Sequence, residues 1–450
     1  MLLIRNELNN LWHTSLVFSK SVKPFFTNII MGNLISYVKR KSGETFSSLL
    51  IRNYRLYYVG QIISTSGTFM QTIAQGWLVL KLTNSGTALG VVVSLQYLPI
   101  LVLGPYGGVI ADRYPKRRIL FFTQSSAGLL ALILGILVAA SIVKLWMVFL
   151  LAFLLGLNTV FDNPTRQTFH IELVGPDKLR NAVTLYSTLV NLSRVIGPAV
   201  AAGLIATIGI AACFLLNGIS YFAVVIILAL MHTDEMHLSE PVPPSKGQLK
   251  EGFKYVLSTP VIGFPLLMMM LIGTFAYEFQ VSLPLIAQNT FKSDATGYAF
   301  LTSAMGLGAA AGGLFFASRK RGAPYKLISA ALLFGLAILV AAFMPGLLLS
   351  GLAMVIVGFC SIYFSTLGNT TLQLECTPEM RGRVMSFWAI AFLGSTAIGG
   401  PIVGRLAEIA GARWGLALGG IAALVAAGIG AVTLRNFRSV KTKKQGPVEM

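Results

Sequence analysis

Charge is what this sequence lacks most. Only 11% of its 450 residues are charged, where a soluble domain carries roughly 25%. With so little polar surface the chain cannot clothe a water-facing core. Cysteine is scarce too. Cys213, Cys360 and Cys376 are scattered through apolar surroundings and suggest neither a disulfide framework nor a metal site. The four histidines show no ligand spacing. A Gly-x-x-x-x-Gly-Lys-[Ser/Thr] phosphate loop is missing, which argues against ATP-driven work within the chain. No Ser-His-Asp or Cys-His constellation stands at usable spacing, so the sequence does not read as an enzyme. No cofactor or metal is expected.

Hydrophobic residues make up 55% of the chain, and they come in long runs. A helix needs about 20 apolar residues to cross the hydrocarbon of a bilayer. Twelve such runs are legible: 55–80, 86–110, 118–141, 145–165, 180–206, 210–231, 260–287, 295–317, 324–343, 347–374, 383–407 and 413–434. The fold class is an all-α membrane protein. Before the first run lies a basic segment, 1–53, without the apolar core and cleavage site of a signal peptide. It reads as a dispensable cytosolic extension or as an amphipathic helix on an anionic leaflet. The stretch 232–258, rich in Pro and charge, reads as a linker. It divides the runs into bundles at 54–231 and 259–437, and 438–450 is left as a tail.

The net charge of +19 invites a nucleic-acid reading. The basic residues, however, sit in short loops on one side of the runs, as the positive-inside rule requires. With both termini in the cytosol, only Lys81, Lys144, Lys292 and Arg413 face outward in loops. Arg194 and Arg405 fall within spans. A lipid bilayer, not a nucleic acid, is the expected partner.

The two bundles resemble each other. Gly107–Arg113 after the second run matches Gly312–Arg319 after the eighth. Pro176-Asp177 matches Pro378-Glu379, and Gly197-Pro198 matches Gly400-Pro401. All three pairs share an offset of roughly 200 residues, the mark of an internal repeat. Two parallel six-helix repeats suggest a carrier that alternates access to a small molecule held between them near mid-membrane.

On these residues the chain resembles the major facilitator superfamily, over 50–437. The loop Gly108, Asp112, Arg113, Lys116, Arg117 is similar to that family's signature between its second and third helices, with Pro115 in place of a glycine. The second-half copy has Ala317 and Ser318 where an acid and a base would stand. Asn53–Gln61, Phe161–Gln167 and Asn191–Ala199 resemble the branch of enterobactin exporters and macrolide-type efflux proteins. The resemblance implies twelve transmembrane helices in two pseudo-symmetric six-helix bundles, a bacterial cytoplasmic membrane and probable monomers. It also implies export coupled to a proton gradient.

Several residues could carry the mechanism. In the family, an acid at Asp112 pairs with nearby bases and faces the start of the eleventh helix, latching the cytosolic gate. The plainer reading is a loop cap whose bases, Arg118 included, only set topology. Arg194 lies roughly 21 Å into the fifth span. An arginine at that depth is costly and serves a substrate, a coupling site or a structural pair. Glu278, roughly 25 Å into the seventh span, is the coupling-acid candidate, with Arg194 as a possible partner. An outer-vestibule or structural glutamate is the alternative. Asp162 and Arg166 share a helical face at i and i+4, with Pro164 able to bend it. They read as a local pair or as part of the gate. Gly197, Pro198 and Gly203 resemble the end of an antiporter motif, or simply a close-packing strip. Gln61, Gln71, Gln75, Gln96 and Tyr277, with Met268, Met269 and Met270, are candidate cavity lining for an amphipathic drug or siderophore. The alternatives are a metabolite or lysophospholipid carrier, inward transport included, and, remotely, a non-transporting sensor.

Overall fold

The computed structural model describes residues 46–237, 248–316 and 324–444. Most of the basic extension, the middle of the linker, Ala317 and Ser318 of the second loop copy, and the last residues of the tail lie outside that range.

The described chain is helical. The first helices are α1 (Arg52–Thr83), α2 (Gly86–Arg113) and α3 (Lys116–Ala139). The stretch Leu145–Thr207 is helical throughout except at Gly175, whose φ of 71° and ψ of 174° break it into α4 (145–174) and α5 (176–207). Left-handed backbone favours glycine there, and Pro176 then starts α5 with a preset φ. Next come α6 (Ile210–Leu230), α7 (Gln248–Ser258), α8 (Pro260–Phe275), α9 (Phe279–Leu285) and α10 (Ala295–Phe316). The chain continues with α11 (Pro324–Phe343), α12 (Leu347–Glu375), α13 (Pro378–Ala389), α14 (Thr396–Ile409) and α15 (Ala412–Lys444).

Ten helical segments among the described residues are long and apolar enough to span a bilayer. The chain is a multi-pass membrane protein. α1 is not among the ten, because polar side chains such as Asn53, Gln61, Ser64, Gln71 and Gln75 lower its hydropathy. Gln71 and Gln75 face a pocket between the helices.

The sequence reading is corrected at several places. The loop expected between 165 and 180 is helix, broken only at Gly175. Pro164 does not end α4. It cannot donate to the Val160 carbonyl, and that carbonyl faces Gly107 of α2. The seventh run is not one helix: it stops at Phe275, restarts at Phe279, and ends in a π-turn at Ile286–Thr290. The eleventh is likewise interrupted by a π-turn at Ile390–Gly394. The linker contains α7, pinned to α13 by Glu251 and Arg383 at 2.5 Å. The last helix runs to Lys444 instead of giving way to a tail near 438.

Residues before 232 meet those after 259 along two seams, α2 with α14 and α5 with α10. In the first, Gly86 and Gly90 face Gly404 and Gly400. A methyl on Gly86 or Gly400 would lie 2.8 Å from the opposing carbonyl oxygen, so the backbones touch without interlocking side chains. In the second, a methyl on Gly306 of α10 would lie 2.9 Å from the Arg194 carbonyl, and Ser303 donates to the Val195 carbonyl at 3.2 Å. The repeat is visible in a third pattern. Gly197 of α5 rests on the Ser66 carbonyl of α1, as Gly399 of α14 rests on the Thr274 carbonyl of α8.

Candidate functional site

The two seams close one end of a path between the helices, the end carrying residues 84–90 and 397–408. The fastenings there are polar. Gln288 donates to Asn84 at 3.1 Å, Gln280 to the Tyr97 hydroxyl at 3.2 Å, and Ser94 to the Ala397 carbonyl. At the opposite end, that of the 113–118 loop, no hydrogen bond or ion pair joins the two sides among the described residues. The path is shut at one end and unlatched at the other.

Below the shut end lies a pocket lined by Thr68, Gln71, Gln75, Gln96, Tyr221 and Gln280, among others. Gln75 donates to Gln96 at 3.4 Å, and Asn217 donates to Gln71 at 2.7 Å. Amides that bond one another hold their free donors and acceptors at fixed angles for a ligand. Tyr277 is anchored to the Ser361 carbonyl at 3.0 Å. Gln61 is not part of this lining; it accepts from Arg166. Nor are the methionines. Met268 and Met269 are fully buried in the core, and Met270 is half exposed.

Arg194 is half-buried, and its guanidinium lies 5.7 Å from the centre of the Phe69 ring, within the electrostatic range of Tyr97 and Tyr277. It makes no ion pair and no side-chain hydrogen bond among the described residues. The expected partnership with Glu278 is not formed. Glu278 sits at the break between α8 and α9, 1% exposed. It packs against Gly399 and Gly400 with Thr396 as its polar neighbour, and neither carboxylate oxygen completes a hydrogen bond of ordinary geometry. At that break Glu278 lies against the α2–α14 seam.

Asp162 and Arg166 are brought together as the centre of a buried cluster. Arg166 holds Asp162 Oδ2 through Nε at 3.0 Å and Nη2 at 2.5 Å. Thr123 and Gln124 of α3 both donate to Oδ1 at 2.8 Å. All of the carboxylate's main lone-pair directions are used, so this pair fastens α1, α3 and α4 to one another and has no acceptor left for a ligand.

Residues 43–448 match the model of the transmembrane secretion effector family of the major facilitator superfamily. The chain belongs to that superfamily. It is therefore a secondary transporter of a small molecule and not an enzyme. The staphyloferrin A transporter of Staphylococcus aureus (strain NCTC 8325 / PS 47) is 26% identical over 338 residues, covering 74% of this chain and 84% of that protein. The enterobactin exporter EntS of Escherichia coli (strain K12) is 27% identical over 399 residues, covering 86% and 93%. Among solved structures, a POT family transporter overlays with a TM-score of 0.70 at 13% identity, covering 86% of this chain and 96% of that one. A bacterial homologue of the human lysosomal transporter Spinster does so at 0.63 and 15%, covering 86% and 98%. At such identities these two show the fold alone.

The major facilitator signature loop is partly disengaged in this structure. Asp112 and Arg113 are exposed and make no side-chain hydrogen bond or ion pair among the described residues, which do not include the side chains of Pro378 and Glu379 at the start of the eleventh helix. Gly108 faces open space. Lys116 is buried and paired with Glu172 at 2.7 Å. Arg117 caps the end of α6, donating to the carbonyls of Leu228 at 2.7 Å and Ala229 at 3.0 Å, where a cation suits the helix dipole. Gly197 packs on α1, but Gly203 has nothing within 4 Å and is not a packing residue. Sequence reasoning passed over Glu172 and Glu408. The second had a usable signal, because Gly400, Gly404 and Glu408 recur at i, i+4 and i+8 on one helical face.

Proposed function

We propose that this chain is a proton-coupled exporter of anionic amphipathic molecules of the siderophore kind, set in a bacterial cytoplasmic membrane with both termini in the cytosol. The observation that carries it is Arg194, a guanidinium without a carboxylate partner among the described residues, set against Phe69 and near Tyr97 and Tyr277. A lone cation at that depth is costly unless a ligand supplies the anion. The nearby acids do not compete for that role, since Asp162 is saturated by its neighbours and Glu278 is folded into the seam. Two relatives named for siderophore transport support the same chemistry, and a cationic drug would find no free carboxylate in the path among the described residues. The excess of Lys and Arg at the 113–118 end supports a cytosolic position for it, and on this reading the unlatched end is the one through which an exporter loads.

Glu278 is the proposed proton carrier. A carboxylate without donors is unfavourable as an anion in so apolar a place, and binding a proton removes that cost. Inside-out vesicles with an acidic lumen are expected to accumulate a ferric-free catecholate or citrate-type siderophore, and a protonophore should abolish this. In Glu278→Gln, downhill flux should persist while uphill accumulation is lost. Unchanged accumulation by that variant would remove Glu278 from coupling; accumulation driven in the opposite direction would overturn export.

Asp112 belongs to the other half of the cycle in this proposal, latching the cytosolic end when the outer end opens. Asp112→Asn is expected to reach the membrane in normal amount yet lose most turnover. Near-normal transport would show the loop to be a topological signal only.

A further inference from the structure

We infer that Glu408 is the clasp of the outer gate, a residue that sets how long the 84–90 end stays shut. The inference rests on the transporter reading above but not on its substrate or on the role of Glu278.

Glu408 is the last polar step of a stripe on α14. Gly400 and Gly404, two turns and one turn before it, press against Gly90 and Gly86 of α2. Carried one turn further, the same face brings the Glu408 carboxylate to the first turn of α2. There Oε1 accepts from the Ser85 hydroxyl at 2.5 Å and from the Thr87 backbone N–H at 3.0 Å, and Oε2 accepts from the Thr87 hydroxyl at 2.5 Å. Ser85 is also the N-cap of α2, its oxygen accepting from the Ala88 N–H at 3.0 Å. The carboxylate thus completes a capping arrangement from the opposite side of the path. It sits where unsatisfied N–H groups and the helix dipole both favour an anion. Bonds with one ionised partner are the stronger kind. The one charged neighbour among the described residues is Arg405 of the same helix, at 3.4 Å.

The glycine seam needs this fastening. Backbones that touch through glycines have no side chains to interlock, so their contact is easily separated. The other bonds described across this end, Gln288 to Asn84, Gln280 to the Tyr97 hydroxyl and Ser94 to the Ala397 carbonyl, are neutral. Glu408 adds the ionised one, at an exposed position where water can replace its partners when the helices part. Asp112, at the far end of the same α2, is exposed and makes no side-chain bond among the described residues. Helix α2 therefore has an acid at each end, and among the described residues the one at the shut end is bonded.

The test measures opening directly. Spin labels on Ile208→Cys and Leu348→Cys, both exposed at this end, with the three native cysteines replaced, report the separation by pulsed electron resonance in lipid nanodiscs. The parent protein should show a short distance. Glu408→Gln should raise the ratio of long to short populations about tenfold. Ser85→Ala with Thr87→Val should do the same, and adding Glu408→Gln to that pair should change little further. Lys81→Gln, an exposed cation of α1 with no bond to Glu408, should leave the distances as they were. A Glu408→Gln distribution that superimposes on the parent, or full additivity with the α2 pair, overturns the clasp. Absence of siderophore export by the parent protein, with the distance shift of Glu408→Gln intact, would count against the substrate proposal alone.

Discussion

Arg166→Ala is expected to destabilise the protein by about 3–5 kcal/mol, the cost of leaving one member of a buried ion pair alone. Asp162 accepts two bonds from Arg166 and one each from Thr123 and Gln124. Its side chain and that of Arg166 are 10% and 13% exposed. Removing the guanidinium leaves the aspartate charge among three helices with only neutral donors, and the Gln61 carbonyl loses its donor as well. Thermal unfolding in detergent should show a lower midpoint, with less folded protein recovered. Asp162→Asn should also destabilise, since it leaves the opposite charge alone. The double variant Asp162→Asn with Arg166→Gln should recover a large part of the loss, because no bare charge remains. If both single variants melt like the parent, the cluster does not hold α1, α3 and α4 together.

Arg194→Ala is expected to cut export of an anionic siderophore roughly 10- to 100-fold, which is the range for losing a hydrogen bond to a charged group. Export of a neutral analogue of the same size should change far less. Arg194→Lys should fall between, because a point charge replaces a planar fork that can hold two oxygens. Initial rates in inside-out vesicles for the anionic and neutral pair give the ratio. An equal loss for both would mean that Arg194 acts through its stacking on Phe69 and not through the ligand.

The sequence came close at Asp162 and Arg166, because i and i+4 are neighbours on any helix. It could not show that Thr123, Gln124 and Gln61 complete their bonds, since those come from helices distant in the chain. At Glu278 depth was legible and direction was not. Depth follows from counting residues at a fixed rise, whereas direction depended on a break at Ala276–Glu278 that no Gly or Pro at that point announces. The signature loop was legible as a motif, but its parts separate in space. Lys116 turns inward to Glu172 and Arg117 to the end of α6, while Asp112 and Arg113 stay outside. Adjacent loop residues point different ways, and a motif records only their order.

What the sequence determined by itself was class and membership: helices in a membrane, an internal repeat and a major facilitator signature. Those follow from apolar run length and short-range spacing, which are local properties of the chain. What only the tertiary structure decided was which groups meet. The α2–α14 seam sets Glu408 on the first turn of α2, and the kink after α8 keeps Glu278 from Arg194. The first depends on where two helices hundreds of residues apart come to rest, which backbone contact between glycines fixes, and the second on a break inside one apolar run that no residue pattern there announces.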